Sequence, residues 1–151
     1  MLHNIAHVTG NILSAQTQAI VIPVNTVAVA GAGLAKQAAD SIPGWLEDYK
    51  QACTYLEVGS VTIYRVDEYH VVVSLPTKRD WRDPSKLEWI DAGLKALVKA
   101  CHVEKIESIA IPMLGCGKGE LAWEDVCPLI YKRFEGASIL VAVYGPDVER
   151  N

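Results

Sequence analysis

Apolar positions along the chain fall into short continuous runs separated by longer amphipathic stretches. Ala19-Ile20-Val21-Ile22-Pro23-Val24 is an unbroken apolar run of strand length, as expected of a strand covered on both faces. Tyr69–Leu75 with its Val71-Val72-Val73 centre, Ser108–Pro112 and Ile139–Tyr144 read the same way. Val61–Val66 alternates and is rich in β-branched residues, which predicts a strand with one wetter face. Ile5–Thr9 is a shorter strand that stops at Gly10-Asn11-Ile12, where glycine permits an unusual backbone and Asn11 can cap the turn.

The intervening stretches have helical spacing. One helix runs from Gly33 to about Asp40 and is closed by Ile42-Pro43. A second spans Trp45–Tyr55, with Trp45, Leu46, Tyr49 and Cys53 on one side. A third reaches Cys101 and places Leu87, Ile90, Leu94, Leu97, Val98 and Cys101 on one face. Its start, Ser85-Lys86-Leu87-Glu88, has the spacing of a capping box, and Asp83-Pro84 fixes the entry. A fourth covers Trp123–Phe134, with Glu124 and Asp125 near its positive end. Strands alternating with helices predict one α/β domain over residues 1–151. The expected architecture is a three-layer α/β/α arrangement around a mixed, mainly parallel central sheet.

Two glycine loops, Gly31-Ala32-Gly33 and Gly115–Gly119, each follow a buried strand. In a parallel sheet both lie on the carboxyl edge and form one crevice, where backbone N–H groups and a helix N-terminus can hold an anion. Neither loop is a Walker A motif, and neither is a dinucleotide-binding G-x-G-x-x-G in the first βα turn, which argues against nucleotide triphosphate hydrolysis and hydride transfer. A third segment, Leu75-Pro76-Thr77-Lys78-Arg79-Asp80-Trp81-Arg82, also follows a buried strand. Cations interleaved with an aromatic suit a phosphodiester and a stacked base, and a lysine beside other cations can present a nucleophilic amine. Taken alone, the segment reads first as a solvated loop whose tryptophan packs on the domain, because structural charge clusters are common.

Composition narrows these readings. The formal net charge of −4 excludes binding of nucleic acid by bulk electrostatics, though not by a local basic cluster. Cys53, Cys101, Cys116 and Cys127 show no C-x-x-C spacing, so reduced thiols are expected and a metal site is not. The charge-free stretch from Val8 to Ala35 is interrupted by Gln16, Gln18, Pro23 and Asn25 and is not a membrane span. The N-terminus lacks a basic n-region, so a soluble cytoplasmic protein is expected.

Taken together, the loops resemble those of a macrodomain, the ADP-ribose-binding fold, and in particular the macrodomain of DarG-type antitoxins, which remove ADP-ribose from thymidine bases in DNA. The resemblance spans Gly10-Asn11-Ile12-Leu13, Val24–Val27, Gly31–Ala35, Leu75–Arg82, Leu87-Glu88 and Ile111–Gly117, with Leu121 and Trp123. It implies that Gly10, Asn11 and Ile12 hold the adenine and that Tyr144 stacks on it. Backbone from Gly31, Ala32, Gly33 and Leu34, and from Leu114, Gly115, Cys116, Gly117, Lys118 and Gly119, would hold the diphosphate. Asn25, with Thr26 beside it, would contact the distal ribose, and Lys78 would act at its anomeric carbon. That action is either capture of the carbon as a covalent adduct or protonation of the departing base. Arg79, Trp81 and Arg82 would face the DNA.

The resemblance further implies a monomer without a cofactor, whose partners are ADP-ribose or ADP-ribosylated DNA and an opposing DNA ADP-ribosyltransferase toxin. Three departures stand out. Ile22 occupies the first position of the N-x-x-N often found in related macrodomains. Gly119 stands where the protein-directed glycohydrolase carries an aspartate, with Glu120 one residue away, which favours a lysine-only mechanism. DarG antitoxins usually continue into a toxin-binding region, whereas this sequence ends at Asn151, as either a stand-alone hydrolase or part of a longer antitoxin. Two other functions fit the same crevice: a non-catalytic ADP-ribose reader, and a hydrolase of small derivatives such as the 1″-phosphate or O-acetyl ester.

Overall fold

The long apolar run Ala19–Val24, with Asn25 at its end, forms β2 (Ala19–Asn25), a central strand of a six-stranded sheet in the computed structural model, which describes residues 3–148. The other strands are β1 (Ile5–His7), β3 (Thr62–Arg65), β4 (Val71–Lys78), β5 (Ser108–Pro112) and β6 (Leu140–Tyr144), in the order β1-β6-β5-β2-β4-β3. Only the β3–β4 pairing is antiparallel, so the sheet is mixed and mainly parallel as expected. Helices α1 (Gly33–Ser41), α2 (Trp45–Ala52), α3 (Leu87–Val103) and α4 (Trp123–Phe134) cover its faces.

The period-2 geometry of a strand divides the apolar residues between two cores. Ala19, Val21, Val71, Val73, Leu75, Ile109 and Ile111 meet Ile90, Leu94 and Leu97 of α3 and Val126, Ile130 and Phe134 of α4. On the opposite face Ile22, Val24 and Val72 meet Ala38 of α1 and Trp45 and Tyr49 of α2. β2 thus contributes alternate side chains to both cores, which accounts for its unbroken apolar run. Ile22, the departure from N-x-x-N, is fully buried in the second core. Each such Val, Leu, Ile or Phe contributes about 1.5–3 kcal/mol by leaving water. Trp45 stacks on Tyr49 with 5.3 Å between ring centroids and donates its Nε1–H to Ser74 Oγ at 3.0 Å.

Several boundaries move for identifiable reasons. β4 begins at Val71 rather than Tyr69 because Asp67 Oδ1 accepts from the backbone N–H groups of Tyr69 and His70 and holds them in a turn. β4 also continues past Leu75 to Lys78. The capping box does not form. Lys86 is the N-cap of α3 with no side-chain cap bond, and Ser85 turns inward, its Oγ buried without a hydrogen-bond partner. The reason is tertiary: Ser85 N–H donates to Gly119 O at 2.9 Å, which draws Ser85 under the second glycine loop. Among the described residues no helix is long and apolar enough to cross a membrane.

Candidate active site

β4, β2 and β5 are adjacent and parallel, so their carboxyl ends open onto one edge. Between Val24 and Asn25 the register with β4 slips: Val24 pairs with Pro76, but Asn25 pairs with Lys78. The extra residue on β4 is a bulge, a device that re-aims side chains at a sheet edge. It sets Asn25 and Lys78 opposite each other at the floor of a cleft of about 510 Å³, within the usual size of small-molecule sites.

The cleft is lined by Asn25, Val29, Gly31, Ala32, Gly33 and Leu34 on one side. Lys78 and Trp81 line another, and Met113, Gly115, Gly117, Lys118 and Gly119 a third. The three loops picked out in the sequence therefore meet. Of the lining residues only Lys78 and Lys118 are ionisable.

Asn25 is 6% exposed, and its amide is largely occupied in shaping its own loop. Oδ1 accepts from Val27 N–H and Val29 N–H, both at 3.2 Å, and from Tyr49 Oη–H at 2.9 Å, while Nδ2 donates to Val29 O at 2.8 Å. One of the two Nδ2 protons is left for a ligand. Tyr49 Oη also donates to Asn25 O at 2.7 Å, and burial, with a smaller electrostatic effect of Cys53, pushes this phenol well above the usual range. Between the bonded amides Ala28 has φ 64°, a left-handed conformation costly for a residue with a Cβ. The loop is thus held in one strained shape from beneath. Tyr49 was visible in the sequence only as an apolar helix position.

At the start of α1, Ala32 is extended and provides no side-chain cap, and Gly33 takes φ 59°. The first N–H groups of the helix therefore lack intrahelical partners and open towards the cleft. Across from them, a Cβ on Gly119 would collide with Gly115 O and lie 2.5 Å from Ser85 Oγ. Position 119 has no room for a carboxylate, and Glu120 is exposed and outside the cleft lining. In the same loop Cys116 Sγ donates to Leu114 O at 3.4 Å, and burial, then Glu124, pushes its thiol up to about 11.

Lys78 is 9% exposed, and its Nζ donates to Trp81 O and Lys118 O, both at 3.1 Å. The amine joins the third loop to the second glycine loop. The cluster of cations expected around it does not form, because its neighbours are drawn elsewhere. Arg82 makes a two-bond pair with Asp80, Nε–Oδ1 and Nη2–Oδ2 both at 2.9 Å, and this pairing holds the carboxyl far below the ordinary range. Arg79 lies over the Trp89 ring at 5.2 Å. Trp81 is 52% exposed at the cleft mouth.

The other anticipated residues lie around the cleft without lining it. Thr26 N–H and hydroxyl both donate to Arg79 O at 3.1 Å, tying the first loop to the third. Leu114 and Ile12 are buried. Gly10 and Asn11 are exposed, and Asn11 Oδ1 accepts from Leu13 N–H at 3.0 Å, the turn-capping role. Tyr144 pairs with Pro112 at the end of β6, and the following Gly145 packs on Met113 of the cleft wall.

Two glycine loops and an uncapped helix start on one carboxyl edge of a mainly parallel sheet define a fold built to hold an anionic ligand. The family model of the macro domain matches residues 21–130, and the chain belongs to that family. A DNA ADP-ribosyl glycohydrolase of Mycobacterium tuberculosis is 37% identical over 147 residues, covering 94% of this chain and 42% of the relative. This chain thus spans about two fifths of that relative's length. Among solved structures, the macrodomain of M. tuberculosis DarG superposes with a TM-score of 0.90 at 34% identity, over 95% of this chain and 98% of that one. Thermosipho africanus DarTG in complex with ADP-ribose superposes with a TM-score of 0.88 at 31% identity, over 98% of this chain and 43% of that one.

Proposed function

We propose that the protein is an ADP-ribosyl glycohydrolase that removes ADP-ribose from thymidine bases in single-stranded DNA. Lys78 acts at the distal ribose. The observation that carries this reading is the position of Lys78: a nearly buried amine on the cleft floor, opposite Asn25, with no carboxylate among the lining residues. The kinship with DNA ADP-ribosyl glycohydrolases and the ADP-ribose complex of a similar fold support the substrate class.

In the reaction the bond between the anomeric carbon and the base nitrogen breaks, and its electron pair leaves with the base. The base gains a proton, and a water oxygen ends on the carbon. Two carbonyls occupy two of the tetrahedral positions around Nζ. The remaining position carries a proton that an ammonium gives to the base, or a lone pair with which a neutral amine captures the carbon. The diphosphate rests on the α1 start and on the second glycine loop, so its binding fixes the ribose above Lys78. Arg79, Trp81 and Arg82 meet the DNA. A hydrolase of a DNA modification also requires an enzyme that installs it, so a DNA ADP-ribosyltransferase is the functional opponent.

The test is release of ADP-ribose from a thymidine-ADP-ribosylated single-stranded oligonucleotide. Wild type turns the substrate over, while Lys78→Ala binds ADP-ribose and releases at least a hundredfold less, the low end of acid–base contributions. Tight ADP-ribose binding without turnover of any substrate would make the protein a reader. Turnover of O-acetyl-ADP-ribose alone, indifferent to Arg79, Trp81 and Arg82, would make it a small-ester hydrolase.

A further inference from the structure

The start of α3 breaks two local rules at once. Its N-cap is Lys86, where a side-chain oxygen is preferred, and a cation at the amino end of a helix opposes the helix dipole. The Lys86 ammonium lies 5.1 Å from the centroid of the Trp89 ring, one turn along the helix. The Arg79 guanidinium lies over the same ring at 5.2 Å. Of the four described arginines, Arg65, Arg82 and Arg133 are ion-paired, and Arg79 is the one without a carboxylate. The nearby acids act elsewhere: Asp80 binds Arg82, and the charge of Asp83 also acts on Arg82. Arg79 and Lys86 are exposed, and Arg79 directly follows Lys78 in the chain.

We propose that Arg79 and Lys86, held on Trp89, form a clamp for backbone phosphates of the strand flanking the modified nucleotide. This rests on the DNA reading above. A guanidinium without a carboxylate, steadied on an aromatic face beside a second unpaired ammonium, is disposed for phosphodiester oxygens. The arrangement also reconciles an acidic chain with a nucleic-acid substrate: two steered cations replace a basic surface. Arg79 and Lys86 touch the strand, whereas Trp89 is a positioning residue. The site lies outside the cleft and adds nothing to the binding of ADP-ribose itself.

The experiment compares two substrates, an ADP-ribosylated thymidine nucleoside and a singly modified oligonucleotide of about 10 nucleotides, a length one single-strand-binding fold can track. The ratio of their kcat/KM values is followed against salt. Each phosphate contact to a single strand adds about 0.7 to the slope of log affinity against log salt. Lys86→Gln lowers the slope by about 0.7. Trp89→Leu, which releases both cations, lowers the oligonucleotide preference at low salt, and Trp89→Phe restores it by keeping a ring. An unchanged slope in Lys86→Gln, with the nucleoside still turned over, overturns the clamp alone. Absence of release from both substrates by wild type overturns the glycohydrolase reading instead. Helical circular dichroism of Trp89→Leu, matched to wild type, separates loss of the clamp from loss of the fold.

Discussion

Tyr49→Phe removes one oxygen, and the structure sets what that costs. The phenol donates to both Asn25 O and Asn25 Oδ1, at 2.7 and 2.9 Å, from a side chain with no solvent exposure. Without it Oδ1 keeps Val27 N–H and Val29 N–H, while the backbone oxygen loses its 2.7 Å donor, the next side-chain contact being Cys53 Sγ at 3.9 Å. A buried acceptor that loses its donor costs about 1–3 kcal/mol, so the variant is less stable by about 2 kcal/mol. For a chain of this size that lowers Tm by about 4–8 °C. The freed loop includes the strained Ala28 and lines the cleft through Val29, so ADP-ribose affinity falls as well, by up to about tenfold if 1.4 kcal/mol of the loss is felt in binding. Urea denaturation and titration calorimetry read the two effects. The control is Tyr64→Phe, whose hydroxyl donates to Pro43 O at 2.7 Å away from the cleft; it lowers stability and leaves affinity alone. Wild-type affinity in Tyr49→Phe would refute the claim that this phenol positions the Asn25 loop for the ligand.

Gly119→Ala forces a Cβ against Gly115 O and Ser85 Oγ; it destabilises by about 1–3 kcal/mol as an overpacked site and weakens ADP-ribose binding, both measurable on the purified variant. Asp67 is held at about 2, chiefly by backbone and side-chain bonds from His70, so its folded value is depressed. Its contribution to stability is present above the ordinary carboxylate range near 4 and is lost as pH falls through about 2. Carboxyl NMR shows that endpoint, and Asp67→Asn removes this part of the acid dependence. Burial pushes the Cys116 thiol up to about 11, so alkylation followed by mass spectrometry is slow at pH 8 and accelerates towards pH 11.

The sequence spoke most clearly where local punctuation and periodicity agree. Ser108–Pro112 and Trp123–Phe134 are observed at their expected limits, because a buried apolar run or an amphipathic face is bounded there by loop residues. The carboxyl-edge crevice was legible for the same reason, since parallel strands send their following loops to one side. What could not be read depends on contacts distant in the chain. The pairing of Asn25 with Lys78 rests on a bulge between two strands, and no motif within either strand encodes it. Tyr49 has the spacing of a packing residue, and only its fold partner 24 residues away turns its hydroxyl into a loop clamp. Ser85 satisfied a local capping pattern but lost the contest to the backbone of Gly119.

Several departures from local rules lie together. Ser85 lacks a partner under the second glycine loop, Lys86 caps a helix end that disfavours it, and Ala28 and Glu120 adopt left-handed backbone beside the first and second loops. The remaining described non-glycine residue with positive φ, Lys105, directly follows the C-cap of α3, where such a conformation commonly closes a helix. Helix caps are missing elsewhere too, at the starts of α2 and α4, and Pro128 lies inside α4; the unpartnered Ser85 and the strained Ala28 and Glu120, however, all border the cleft loops. Stability alone would select against each departure, since capping, pairing and unstrained backbone are available by single substitutions. Their concentration on one sheet edge indicates that the loops are shaped for what they hold, with part of the fold's stability given over to that shape.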